Sequence, residues 1–257
     1  MSGDHNEKVR EQFTLQASSF AAEGFATRGL DWLVERFAPR AGDQVLDVAA
    51  GAAHLGRALA PHVRHVHAAD LTPGMLEQGR RLAAADGIRN ITFVPADAVA
   101  LPWPDGRFDL VVCRLALHQV ADPAGVVREM VRVTRAGGRI GVADMIVDED
   151  PVLAREANRL ERLRDPSHNT TLTRTEITGL LAAAGAAITS SAVRDQHLDL
   201  ADWMQRSATP PDAQAEIRRC VERELAGGEA TGLRPALGSD GQIGFVHPWL
   251  AVVAARP

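Results

Sequence analysis

Residues 42–147 alternate between two hydrophobic textures. Short apolar runs recur at Val45-Leu46-Asp47-Val48, His65-Val66-His67-Ala68-Ala69, Ile91-Thr92-Phe93-Val94, Phe108–Cys113 and Arg139–Met145. Between them lie longer segments at helical spacing: His54–Leu59, Met75–Ala85 and Ala124–Val133. In the last of these, Val126, Val127, Met130, Val131 and Val133 form one apolar stripe. Short strands alternating with helices predict a parallel sheet covered on both faces. Right-handed crossovers then give a doubly wound α/β fold that takes ligands at the carboxyl ends of its strands.

The flanking pattern is different. Val9–Phe37 reads as two helices broken near Gly24, and Pro151–Arg164 as a charged helix with proline in its first turn. Thr173 and Glu176 form a capping box that opens a helix to Ala184, and Gly185 ends it. Ala187–Val193 and Phe245–Ala254 read as late strands. The stretch Asp199–Gly241 separates them and holds a helix near Ala213–Leu225.

Composition narrows the chemistry. The chain has 257 residues, 46% hydrophobic and 24% charged, which suits a soluble protein with a sizeable core. A net charge of −5 argues against a nucleic-acid backbone as partner. There is no Tyr, and Lys8 is the single lysine, so phenol chemistry is excluded and a lysine nucleophile nearly so. Met1–Arg10 lacks an apolar signal core, and no run of 18 apolar residues occurs, so a cytoplasmic protein without a membrane partner is expected. Cys113 and Cys220 are isolated thiols, with no spacing for a disulfide framework or a metal site.

The first strand runs into a loop of small residues, Asp47-Val48-Ala49-Ala50-Gly51-Ala52-Ala53, followed by a helix. Small side chains let a ligand approach the backbone, and the helix offers free N–H groups. The spacing Gly51, Ala53, Gly56 imitates a dinucleotide fingerprint with its middle glycine replaced. A tight turn with no ligand is the alternative. Asp70 then ends the second strand, where a carboxylate can accept both ribose hydroxyls. Asp97 follows the third, where it can accept from an adenine amino group. With Asp47, three carboxylates gather at one end of adjacent strands; a cationic ligand would relieve their repulsion and a pyrophosphate would worsen it.

These residues, with Leu101-Pro102-Trp103-Pro104-Asp105-Gly106-Arg107-Phe108-Asp109 and Arg135-Ala136-Gly137-Gly138-Arg139, resemble the class I S-adenosylmethionine-dependent methyltransferases. The branch most resembled contains the ubiquinone and menaquinone C-methyltransferases and many small-molecule relatives. The resemblance covers residues 9–198 well and the C-terminal part loosely. It implies a Rossmann-like, mostly parallel seven-stranded sheet with an antiparallel last strand, for which Phe245–Ala254 is suited. It implies one domain over 1–257: a helical lid at 9–37, a cofactor-binding core at 42–147, and helical substrate-side elements at 151–185 and 199–241. It also implies S-adenosyl-L-methionine as cofactor. Asp47, Ala49 and Gly51 would then hold the methionine end, Asp70 and Leu71 the ribose, and Asp97 and Ala98 the adenine, with Arg114 beside them. The family commonly has glycine where this chain has Ala53, so a Cβ is expected to intrude on the methionine portion.

Methyl transfer from a sulfonium is an in-line displacement, so the protein must align the acceptor and, where the nucleophile is not already electron-rich, remove its proton. His118, just past the fourth strand, is expected to act as base or to orient the acceptor; alternatively it bonds a backbone carbonyl and shapes its loop. His168 lies in Asp165-Pro166-Ser167-His168, which resembles a stretch covering the substrate in related small-molecule enzymes, and is the second candidate to act as base or to orient the acceptor; alternatively this is a turn. Asp144 or Asp148 is expected to assist His118. Trp103 either walls the adenine pocket or caps its loop, and His54 grazes the cofactor. Phe20 occupies a lid position where the family commonly has Tyr, or packs with Phe13 and Phe25. His65 and His67 read as solvated strand positions and His247 as structural. The acceptor is expected to be a small organic molecule and the protein a monomer or homodimer. Two other readings compete: an NAD(P)-dependent oxidoreductase, and a non-methylating binder or cyclase on the same scaffold.

Overall fold

The computed structural model describes Gly24 and residues 27–257. The predicted lid residues Phe13, Phe20 and Phe25 lie outside that range. The elements in chain order are α1 (Leu30–Phe37), β1 (Gln44–Val48), α2 (His54–Leu59), β2 (His65–Asp70), α3 (Pro73–Ala85), β3 (Ile91–Pro95), β4 (Phe108–Arg114), α4 (Pro123–Val133) and β5 (Thr134–Met145). They continue with α5 (Pro151–Arg164), α6 (Arg174–Ala183), β6 (Ala187–Asp199), α7 (Leu200–Arg206), α8 (Pro211–Leu225), β7 (Ala236–Leu237) and β8 (Ile243–Ala255).

The strands form one sheet in the order β3-β2-β1-β4-β5-β8-β6, with the two-residue β7 paired to β8. Strands β1–β5 run parallel, and β8 is antiparallel to both β5 and β6. The predicted mostly parallel sheet with its antiparallel last strand is therefore present. Because successive side chains point to opposite faces, Leu46 and Val48 of β1 enter one core cluster and Val45 enters the other. Each fully buried Val or Leu contributes about 1.5–3 kcal/mol of transfer free energy. A third cluster, with Trp203, Leu160, Ile217 and Phe245, joins α5, α7 and α8 at the β8–β6 end.

Helix starts are specified locally. The Asp122 carboxylate accepts from Gly125 N at 2.7 Å, Asp150 from Val152 N at 2.7 Å and Asp199 from Asp202 N at 2.7 Å. The predicted capping box of Thr173 and Glu176 is closed in both directions. Two predicted boundaries need correction. β6 continues past Val193 to Asp199, and β5 begins at Thr134 rather than Arg139. Both extensions are largely solvent-exposed, so no apolar run marks them. The helix α7 after Asp199 was not anticipated as a separate element.

Parallel β1–β4 place their carboxyl ends side by side. Val48 pairs with Ala69, Asp70 with Pro95 and Val48 with Cys113, which brings the loops after these strands to one edge.

Candidate active site

One cavity opens along that edge. All eight residues assigned from the sequence to the cofactor border it: Asp47, Ala49 and Gly51 after β1, Asp70 and Leu71 after β2, Asp97 and Ala98 after β3, and Arg114 at the end of β4. The β1 loop turns through left-handed backbone at Ala49 (φ 51°), Gly51 (φ 54°) and Ala53 (φ 55°). At Gly51 a Cβ would come 3.1 Å from Met75 Cε, so glycine suits this close approach in space as well as in φ. Ala53 is fully buried and does not border the cavity, which corrects the expected intrusion of its methyl group.

The carboxylates are anchored by backbone N–H groups. Asp70 accepts from Gly51 N at 2.7 Å through Oδ2 and from Thr72 N at 2.8 Å through Oδ1. Asp47 accepts from Gly56 N at 2.8 Å, and Asp97 from Val99 N at 3.1 Å. Burial pushes Asp47 up to about 7 against the pull of the Gly56 N–H and Arg114, and burial also raises Asp70. Arg114 is half-buried, and its pKa is lowered to about 10 by desolvation, with Asp47 and Asp144 opposing. Its guanidinium lies 5.4 Å from the Trp249 ring and donates to the Arg28 carbonyl at 3.2 Å. The donor and acceptor set fits the proposed cofactor. Carboxylates held by one face retain lone pairs for a diol, and their summed charge favours a cation.

The opposite wall is histidine-bearing. His118 borders the cavity, and its Nδ1 donates to Asp144 Oδ1 at 2.6 Å. Asp144 is fixed in turn by the N–H groups of Leu117 and Met145, each at 2.8 Å. Burial works to lower the His118 pKa, but the charge and hydrogen bond of Asp144 outweigh it and the net direction is upward. Asp144 is thus the partner, whereas Asp148 is exposed and accepts from Asp150 N.

His168 stacks on His118 with centroids 5.7 Å apart but does not border the cavity. Its Nε2 donates to Asn158 Oδ1 at 3.1 Å. Burial lowers its pKa to about 3, so it stays neutral. His54 borders the cavity, while Trp103 packs edge-on against Phe108 at 5.4 Å away from it. His65 bonds Thr92 Oγ1 at 2.8 Å, and His67 stands among Trp103 and Phe108.

Four residues at the far end were not singled out as site residues by sequence reasoning: Arg164, Trp203, Arg206 and His247. The last was read as structural. They come from three separate elements, and no local motif joins them.

A Rossmann-like sheet with an acidic, glycine-turned crevice at β1–β3 is the arrangement of a class I S-adenosylmethionine-dependent methyltransferase. Residues 46–142 match the family model described as a methyltransferase domain. The chain is 33% identical over 207 residues to "Uncharacterized methyltransferase YcgJ" of Bacillus subtilis (strain 168), covering 80% of this chain and 82% of that one. The crystal structure of YcgJ superposes with a TM-score of 0.80 at 29% identity, covering 89% of this chain and 97% of that one. The ubiquinone/menaquinone biosynthesis C-methyltransferase UbiE of Ectopseudomonas mendocina (strain ymp) is 35% identical over 159 residues, 58% of this chain and 62% of its own length. The chain belongs to this methyltransferase family, and its cofactor is S-adenosylmethionine. Among the described residues no helix is long and apolar enough to cross a membrane.

Proposed function

We propose that the protein methylates a small organic acceptor and that His118, oriented by Asp144, takes the acceptor's proton or holds its nucleophilic atom in line. S-adenosylmethionine, when bound, would supply an electrophilic methyl group to the acceptor. Asp70 holds the ribose, Asp97 and Ala98 the adenine, and the Asp47–Gly51 loop the methionine end; their place on one cavity supports this assignment. Leu71 and Arg114 complete the cofactor wall.

The observation that carries the reading is the 2.6 Å contact of His118 Nδ1 with the buried Asp144 carboxylate. It fixes the imidazole ring and leaves Nε2 for the acceptor. A base must be neutral to act, so its raised pKa places the acid limb of activity above pH 6.5. His168 supports His118 through ring stacking alone, and its hydrogen bond to Asn158 holds the loop.

The test is His118→Gln, assayed with a panel of small nucleophiles and labelled cofactor. S-adenosylhomocysteine affinity should stay within about twofold, while kcat falls by about 100- to 10,000-fold. A variant that methylates at the wild-type rate refutes the role of His118. A wild-type protein that binds no S-adenosylhomocysteine refutes the site assignment.

A further inference from the structure

The cavity has a second pole beyond His118. Arg164, the last residue of α5, and Arg206, the last of α7, both border it beside Trp203. A cation in a helix's last turn is ordinary dipole complementation, which does not require two of them to converge on one cavity.

Arg164 is held in a fixed pose. Its Nε donates to the Trp203 carbonyl at 3.0 Å, its Nη1 to Glu161 at 3.2 Å, and its guanidinium carbon lies 5.0 Å from the Trp203 ring. Neither bond uses Nη2. Arg206 bonds Asp202 at 3.0 Å, and that carboxylate is itself 57% exposed. Arg206 is also destabilised in its charged form, first by burial, with Asp202 opposing and Arg164 and Arg28 adding repulsion. The wall therefore gathers cations that sense one another. Two buried carboxylates stand nearby and both are engaged: Glu161 by Arg164, lying also 3.3 Å from His247, and Asp165, which borders the cavity, by the N–H and hydroxyl of Ser167. A fixed guanidinium with an open edge beside a second cation is built for an anion with two oxygens in one plane.

We infer that the acceptor bears an oxyanion, a carboxylate or a phosphate, held by Arg164 and Arg206 with its apolar body between Trp203 and Met145 and its nucleophilic atom toward His118. This rests on the acceptor pocket proposed above. The acceptor's charge is thus opposite to that of the cofactor's sulfonium, and each lies at its own pole of one cavity.

The experiment uses the full chain saturated with S-adenosylhomocysteine and titrates benzoate, phenyl phosphate and neutral benzamide by calorimetry. At least one anion should bind and benzamide should not; which anion binds separates carboxylate from phosphate. Arg206→Gln should weaken the bound anion by about tenfold or more, as expected for loss of a charged hydrogen bond. Arg164→Lys keeps the charge and loses the planar fork, and should weaken it likewise. Unchanged S-adenosylhomocysteine affinity shows that each variant is folded, and Arg164→Lys decides if Arg206→Gln fails that check. Equal binding of benzamide and benzoate, binding of neither anion, or anion binding unaffected in a folded variant overturns the inference. Failure of the acceptor reading looks different: anions would bind through the arginines while His118→Gln left methylation untouched.

Discussion

Asp144→Asn isolates the charge behind His118 with almost no change of shape. The carboxylate accepts from His118 Nδ1 at 2.6 Å and from the N–H groups of Leu117 and Met145 at 2.8 Å. An asparagine has one acceptor oxygen for these donors, and its NH2 faces at least one of them. Hydrogen bonds to charged groups are worth about 1.5–3 kcal/mol, so acceptor kcat/KM should fall about 10- to 150-fold. Leaving a buried N–H unpaired costs about 1–3 kcal/mol of fold stability at every pH.

A second loss in the same variant depends on pH. The folded His118 pKa is raised above its ordinary 6.5, burial opposing and Asp144 prevailing. Its contribution to stability is therefore complete below about pH 6.5 and disappears as pH rises through the folded value. The stability gap between wild type and Asp144→Asn should accordingly shrink between acid and alkaline pH. Urea unfolding across that range measures the gap, and an imidazole NMR titration of His118 reads the pKa directly. A wild-type His118 that titrates at or below 6.5, or one that Asp144→Asn leaves unmoved, refutes the reasoning.

Asp70→Asn should weaken S-adenosylhomocysteine by about 10- to 150-fold in calorimetry, because a charged acceptor anchored by Gly51 and Thr72 N–H groups is lost; unchanged affinity would remove Asp70 from the cofactor site. Asp47, pushed up to about 7 by burial, is easier to protonate folded than unfolded, so about 4 kcal/mol of stability is lost as pH rises from about 4 to about 7. A sulfonium offsets the resulting buried charge and a neutral thioether does not. The extra thermal protection by S-adenosylmethionine over S-adenosylhomocysteine should therefore grow between pH 6 and pH 8, and equal protection at both refutes this.

The cofactor half was legible because parallel strands buried on both faces read as continuous apolar runs, and the residue after each run is then known to stand at a common edge. That logic put Asp47, Asp70 and Asp97 on one cavity from three separate segments. It fails where burial fails: residues 194–199 of β6 alternate without a solid apolar run, so the strand reads shorter than it is. Ala53 was misplaced for another reason. Small residues mark the turn, and Ala49, Gly51 and Ala53 share the same left-handed φ, so only the folded loop shows that Ala49 and Gly51 border the cavity while Ala53 turns into the core. Arg164 and Arg206 were illegible because arginine in a last helical turn carries no sign of what the helix end faces.

Three buried histidines show why residue type alone cannot assign a base. His118, His168 and His247 are each under a tenth exposed. Burial alone would lower all three, and for His168 and His247 it does, to about 3. His118 escapes because a carboxylate sits against its ring nitrogen, while Arg164 opposes protonation of all three rings. With its pKa that low, His247 is neutral, and its 3.3 Å approach to Glu161 is a polar contact rather than an ion pair. Burial, with Arg164 adding to it, keeps His168 and His247 uncharged and leaves His118 as the one ring of the three whose pKa is raised, and the one of the stacked pair that borders the cavity.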